Sequence, residues 1–282
     1  MLERRLRDAT LAAEKVVRDE RLLLPIDLTA LANSRDIMIE AKPLAAKGVS
    51  GMIIRVGDSF GIGYATHISS EGFQRFSVAH ELGHFFLGHV DEMFRGGNHT
   101  HESRAGFGSR DDIELEADHF AAGLLMPSTQ FKQEAGRHSD GLTAIEKVAE
   151  RCKTSITSSA IRYAELTDAA VAIIVSSGAS VDYCFTSSAL RAIRGYRHPL
   201  KGSLIPKNSL TRDFNRTESN VLDAVRDDND ADLLEWFCAE EEIDATEEVI
   251  GLGAYGKTLT IITAEMLDEE SERDDFDAPR FK

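Results

Sequence analysis

Cysteine is scarce in this chain. Cys152, Cys184 and Cys238 are odd in number and far apart, which excludes a disulfide framework and a CxxC zinc site. They fit free thiols in a reducing compartment, so a cytoplasmic location is expected. Long apolar runs are also missing: AAVAIIV, the longest, falls far short of the ~20 residues that span a bilayer. The first twenty residues, MLERRLRDATLAAEKVVRDE, are charged throughout and lack the apolar core of a signal peptide, so neither export nor a membrane is expected. Positive charge is outnumbered, 32 Lys and Arg against 48 Asp and Glu, for a net charge of -16. No global field therefore draws the chain to nucleic acid, and direct DNA binding is not expected. What is present is 42% hydrophobic residues over 282 positions, enough to bury a core in one large domain or two ordinary ones.

Leu2, Leu6, Ala9, Ala13 and Val16 step by four and three, which predicts an amphipathic helix over residues 2–21, and DLTALAN a second, shorter one. IMIE (37–40) reads as a strand, and GMIIRVGDSFGIGYAT as a hairpin turning at Gly57-Asp58-Ser59. Helical spacing returns from Glu71 to about Gly88. Residues 91–110 are polar, Gly-rich and aperiodic, so a long loop is expected there, one able to act as a lid. IELEADHFAAGLLM is helical again and ends at Pro127. Shorter helices are expected at 128–136, 142–152 and 157–166. After Thr167 the texture changes to β-branched runs (VAIIV, VDYCF, TLTIIT), with one acidic helix near 219–241 and a charged, frayed tail. A domain boundary is placed there, giving 1–167, with a helical extension over 128–167, and 168–282.

The chemistry concentrates in RFSVAHELGHFFLGH, residues 75–89. Residues four apart share a helix face, so His80 and His84 can aim ring nitrogens at one metal ion with Glu81 beside them. This is the HExxH arrangement, in which two imidazoles bind zinc and the glutamate takes a proton from water at the metal. By residue frequency alone the pattern arises in on the order of one per cent of chains this long. The flanking Phe76, Val78, Phe85 and Phe86 weigh against accident, because a buried helix must find partners for two imidazoles.

Zinc wants a third protein ligand. In ELEAD, Glu114 and Asp118 are four apart on a helix, so one can reach the metal while the other accepts the free ring N–H of a ligating histidine. Glu116 is expected to face elsewhere. His89 competes as a ligand, but it follows His84 by five residues where the extended HExxHxxGxxH pattern needs six. The plain reading of Glu114 and Asp118 is a solvated acidic first turn; the apolar FAAGLLMP that follows argues instead for a helix packed against the one that carries the histidines.

These paired motifs, with the upstream SGMIIRV and LA…IMIE, resemble the ImmA/IrrE family of zinc metallo-endopeptidases over roughly residues 25–130. The resemblance implies an α+β, zincin-like metallopeptidase domain followed by a smaller β-rich C-terminal domain, compared in some members to GAF-type sensors. It implies Zn2+ held by His80, His84 and Glu114, with Glu81 as general base and Asp118 as the orienting acid. The implied substrate is a protein, a helix-turn-helix transcriptional repressor, whose cleavage releases stress-response or mobile-element genes. It also implies that the hairpin strand beside the active helix pairs with an extended substrate. An oxyanion donor is expected among Tyr64, His99, His101 and His119. The rival reading is a non-proteolytic regulatory binding protein in which the metal is structural or catalysis has been lost; a structural zinc wants a fourth protein ligand, for which the sequence offers only His89.

Two other signals mislead. GLGAYGKT satisfies the phosphate-loop pattern, yet β-branched TLTIIT follows where a helix is required, so a glycine-rich turn between strands is expected. LTAIEKVAERCKTSITSSAIRYAEL has a helix-turn-helix outline, read as packing helices.

Overall fold

The computed structural model describes residues 1–42, 48–67, 70–103, 111–139, 141–240 and 242–264. The chain is α+β with two separate sheets and divides into two compact units, Met1–Tyr163 and Ala164–Lys282.

In the first unit α1 (Leu2–Asp19) buries Ala9, Ala13 and Val17. Its Glu14 reaches across the unit, where Oε1 accepts from Ser128 N and pairs with Arg162 Nη2, each at 3.1 Å. The short α2 (Leu28–Asn33) starts at Asp27, whose side chain accepts from Ala30 N. β1 (Ile37–Lys42), β2 (Gly51–Val56) and β3 (Ser59–Ala65) follow, the last two as the expected hairpin. The sheet order is β1-β3-β2-β4, with β1 parallel to β3 and the other pairs antiparallel.

α3 (Glu71–Phe86) carries the histidines. Every residue from Phe76 to His84 is buried, which is the burial expected of a helix without a polar face. It lies on the sheet, with the Phe60 and Phe85 rings edge to face at 5.3 Å. α5 (Asp112–Leu125) packs on α3 and on α1. Both contacts are close because glycine stands at each: a Cβ on Gly83 would lie 3.1 Å from Ala117 O, and one on Gly123 would lie 2.9 Å from Thr10 O. α6 (Ser128–Ala135), α7 (Leu142–Cys152) and α8 (Ile156–Leu166) fall where the spacing predicts helices.

The expected loop over 91–110 is more ordered than its composition suggests. It contains α4 (Val90–Met93), a single 3-10 turn at Arg95–Gly97, and β4 (Thr100–Ser103), which pairs with β2; residues 104–110 lie outside the described residues. THES lacks an apolar alternation because an edge strand can be held by backbone pairing alone. Removing 96–104 would therefore take out a strand of the sheet, not only a lid.

The second unit is an antiparallel sheet of order β6-β5-β9-β8-β7. β5 (Val171–Ser177) and β6 (Ser180–Thr186) form a hairpin, followed by α9 (Ser188–Arg191), α10 (Leu210–Phe214) and α11 (Glu218–Leu222). Then come β7 (Arg226–Asp232), α12 (Leu233–Phe237), β8 (Asp244–Gly251) and β9 (Thr258–Ala264). Ile174, Leu190, Ile205, Trp236, Phe237 and Ile262 form its core.

The acidic helix expected at 219–241 is not formed: RDDNDAD is an edge strand between two short helices. Between Val225 and Leu233 only Ala231 is apolar, so a helix there would have no stripe to bury. Pairing with β8 satisfies the backbone, and the charges keep the outer edge from pairing with another chain. GLGAYGKT is the expected turn, joining β8 to β9 through a 3-10 turn at Gly253–Tyr255, with no helix after it. The acidic tail beyond residue 264 lies outside the described residues.

Candidate metal centre

α3 and α5 deliver the side chains that the spacing singles out. His80 Nε2 and His84 Nε2 are 3.1 Å apart, and each lies 3.3 Å from an oxygen of Glu114. Ligands in a tetrahedron of ~2.0–2.1 Å metal bonds stand about 3.3 Å from one another. The three side chains thus match the spacing of ligands around one ion, and their donor atoms all fall within 4.8 Å of one another. The donor chemistry also fits, since two imidazole nitrogens and a carboxylate oxygen converging on one point are ligand types that zinc takes.

His80 is buried, and its other nitrogen, Nδ1, meets Asp118 Oδ1 at 2.8 Å. Asp118 thus holds the position expected of an orienting acid. Burial works against a charge on His80, but Asp118 and Glu114 outweigh it and its pKa rises to about 10. Burial pushes His84 down to about 4, despite Glu114. For Glu114 burial acts upward, yet His101, His80 and His84 together hold it well below the ordinary carboxylate range.

Glu81 differs from its neighbours. It is fully buried, and among the described residues neither carboxylate oxygen makes a hydrogen bond of full geometry, although the Ser103 hydroxyl is placed to favour its charged form. Burial pushes its pKa up to about 7 against the pull of His80, which favours a group that trades protons near neutral pH. Its space is kept open by β2, because a Cβ on Gly51 would lie 2.5 Å from Glu81 Oε1. Spacing arguments pick out Glu81 and overlook Gly51, since the approach of strand to helix is a tertiary fact.

Other residues join the cluster without a local signal in the sequence. His101 on β4 puts Nε2 2.9 Å from Glu114 Oε1, and its ring lies 5.1 Å from that of His84. His89 is outside the donor set, as the spacing predicts, but its Nδ1 is 3.0 Å from His84 Nδ1. Glu116 turns away from the donors as expected and is nevertheless buried, with Oε2 3.2 Å from His89 Nε2. Of the other oxyanion candidates, Tyr64 stands directly across from Gly51 in the sheet, while His99 gives its carbonyl to Arg55 N.

The strand order corrects one expectation. β2 pairs with β3 on one side and β4 on the other, so the hairpin strand is interior and offers no edge. The end of the sheet on that side is β4.

Residues 32–163 match the family model Peptidase_M78, described as the IrrE N-terminal-like domain. No curated protein matches the chain. Among solved structures, one described as a Mycobacterium tuberculosis transcriptional regulator is similar over 91% of this chain and 76% of its own, with a TM-score of 0.58 and 13% sequence identity. At that identity the likeness is one of fold.

Proposed function

With residues 32–163 belonging to the IrrE N-terminal-like, peptidase M78 family, we propose that the chain is a zinc-dependent endopeptidase of zincin-like fold. Its metal ligands are His80, His84 and Glu114, and Glu81 is its general base. The observation that carries this reading is the Glu81 carboxylate, fully buried beside the donor set with no hydrogen bond of full geometry among the described residues. A carboxylate is costly to keep in that state unless it works there.

Zinc bound at this set supplies Lewis acidity toward the scissile carbonyl and toward water. Glu81 takes the proton from the attacking water and returns it to the leaving amine, a role its pKa of about 7 suits in both directions. Asp118 fixes the tautomer of His80 by accepting from Nδ1, which leaves the lone pair of Nε2 free to bind a metal. His101, beside Glu114, is the candidate to meet charge developing on the carbonyl oxygen. An extended substrate pairs along β4, which carries His101.

The proposed substrate is a protein, a helix-turn-helix transcriptional repressor whose cleavage releases stress-response or mobile-element genes. The family resemblance supports it. We place the reaction in the cytoplasm, where free thiols such as Cys152, Cys184 and Cys238 persist. No described helix is long and apolar enough to cross a membrane.

A second reading has one observation in its favour. His101 Nε2 stands close enough to Glu114 to close the site as a fourth ligand, which would make the metal structural. Co-expression of the chain with repressors from the same genome separates the two. One zinc per chain in wild type and Glu81→Gln, with a cut repressor in wild type alone, establishes the peptidase. One zinc in both with no repressor cut overturns the repressor as substrate, and the structural metal is selected only if the zinc is closed by four protein ligands, His101 among them.

A further inference from the structure

His80 and His84 present the same ring nitrogen to the donor set, but their other nitrogens are held differently. Behind His80 there is a carboxylate, Asp118. Behind His84 there is a second imidazole, with His89 Nδ1 at 3.0 Å from His84 Nδ1. His89 Nε2 then lies 3.2 Å from Glu116 Oε2, and Glu116 Oε1 forms an ion pair, without hydrogen-bond geometry, with Nη2 of the partly exposed Arg5 at 2.5 Å, whose Nη1 pairs with Asp112. The side chains of His89 and Glu116 are only 9% and 11% exposed, so the series runs through the interior and ends at Arg5 on α1.

Counting protons gives this series a direction. An imidazole that ligates through Nε2 keeps its proton on Nδ1, so His84 donates and His89 Nδ1 accepts. The proton of neutral His89 is then on Nε2, where it donates to the Glu116 carboxylate, and the other oxygen of that carboxylate faces a guanidinium. Each contact holds one proton, and both hydrogen bonds point away from the donor set. The reverse assignment would put the His84 proton where His80, His84 and Glu114 converge.

We propose that His89, Glu116 and Arg5 form a positioning relay that fixes the tautomer and orientation of His84 for metal binding, and that α1 is thereby part of the metal centre. The inference rests on the metal reading above. None of the three is a catalytic residue: they act through His84. The bland alternative is that His89 merely closes the end of α3. That closure is made by its backbone, His89 N donating to His84 O at 3.0 Å, and so survives replacement of the side chain.

The test uses the full chain as wild type, His89→Leu, His89→Asn and Arg5→Gln. Zinc affinity is measured by competition with a chromophoric chelator, the visible spectrum is recorded after loading with Co2+, and the melting of the metal-free forms reports folding. His89→Leu, which cannot accept, is expected to bind zinc about 10–100-fold more weakly and to change the cobalt spectrum. The amide oxygen of His89→Asn can accept from His84 and should restore affinity to within about threefold. Arg5→Gln should fall between wild type and His89→Leu. The relay is wrong if His89→Leu matches wild type in affinity and spectrum, or if His89→Asn is as weak as His89→Leu. Should His89→Leu not fold, full affinity in Arg5→Gln overturns the relay and weakened affinity beside an intact His89→Asn supports it. Wild type that takes up no zinc defeats the metal reading, and the relay with it.

Discussion

Glu81, the proposed general base, shows what such a group costs the fold that holds it. Its pKa of about 7 lies above the ordinary 4.5, so folding favours the protonated form. Its contribution to stability is full below pH 4.5, declines as pH rises toward 7, and is lost above that, where a charged carboxylate is carried in a desolvated site. Glu81→Gln should therefore stabilise the metal-free chain at pH 8 by on the order of 3 kcal/mol and change little at pH 4.5. Thermal melts of the two proteins at both pH values check this; an equal difference at the two would mean that the ionisation plays no part. In the zinc form the same substitution should lower repressor cleavage by about 10²–10⁴-fold while leaving metal content at one. Gly51 belongs to the same site. A methyl there would meet Glu81 Oε1, so Gly51→Ala should cut the cleavage rate by about tenfold or more, since misplacing a reacting group by an ångström costs up to ~100-fold. Zinc binding should persist, and a variant that cleaves at the wild-type rate would show that Glu81 has room to move.

Between elements, the decisive contact is α3 against α5. Gly83 lets the helices approach until Ala117 O is 3.1 Å from the place of a Cβ, and that approach sets Glu114 within reach of both histidines. Gly83→Val should overpack the contact, destabilise the fold by about 1–3 kcal/mol and spread the donor set. Chelator competition should register a zinc affinity lower by about tenfold or more, the size of effect known for disturbed ligand support. Affinity unchanged beside lowered stability would show that the cluster can re-form. At this scale one also sees what the sequence carries and what it does not. His80, Glu81, His84, Glu114 and Asp118 were legible because each pair sits one helical turn apart, and helix geometry turns that spacing into a shared face. The hairpin was legible from its turn residues and flanking alternation. Residue spacing offers no such rule for His101 against Glu114 or for Arg5 against Glu116, because packing of separate elements brings them together. β4 and β7 were missed for a related reason. Edge strands are held by backbone pairing, which leaves no hydrophobic period to read, and an acidic run looks like a solvated helix until its missing apolar stripe is noticed.

At the scale of the whole molecule, two units with separate cores predict two responses to one ion. A ligand that binds only the native form adds about 2.7 kcal/mol at a hundredfold excess over its Kd. All the candidate ligands lie in the first unit. Calorimetry with and without a chelator should accordingly move one melting transition down by several degrees and leave the other in place; a single transition moving as a whole would mean that the units unfold together. The N-terminal helix bears on where such a molecule can be divided. The family likeness begins at residue 32, but α1 buries Ala9, Ala13 and Val17, and its Glu14 answers the buried Arg162. A fragment cut to residues 32–163 would thus keep every candidate metal ligand and still expose an apolar stripe on α5 and take Glu14 away from the buried Arg162. Such a fragment should aggregate: the segment inherited by likeness is shorter than the one that can stand alone.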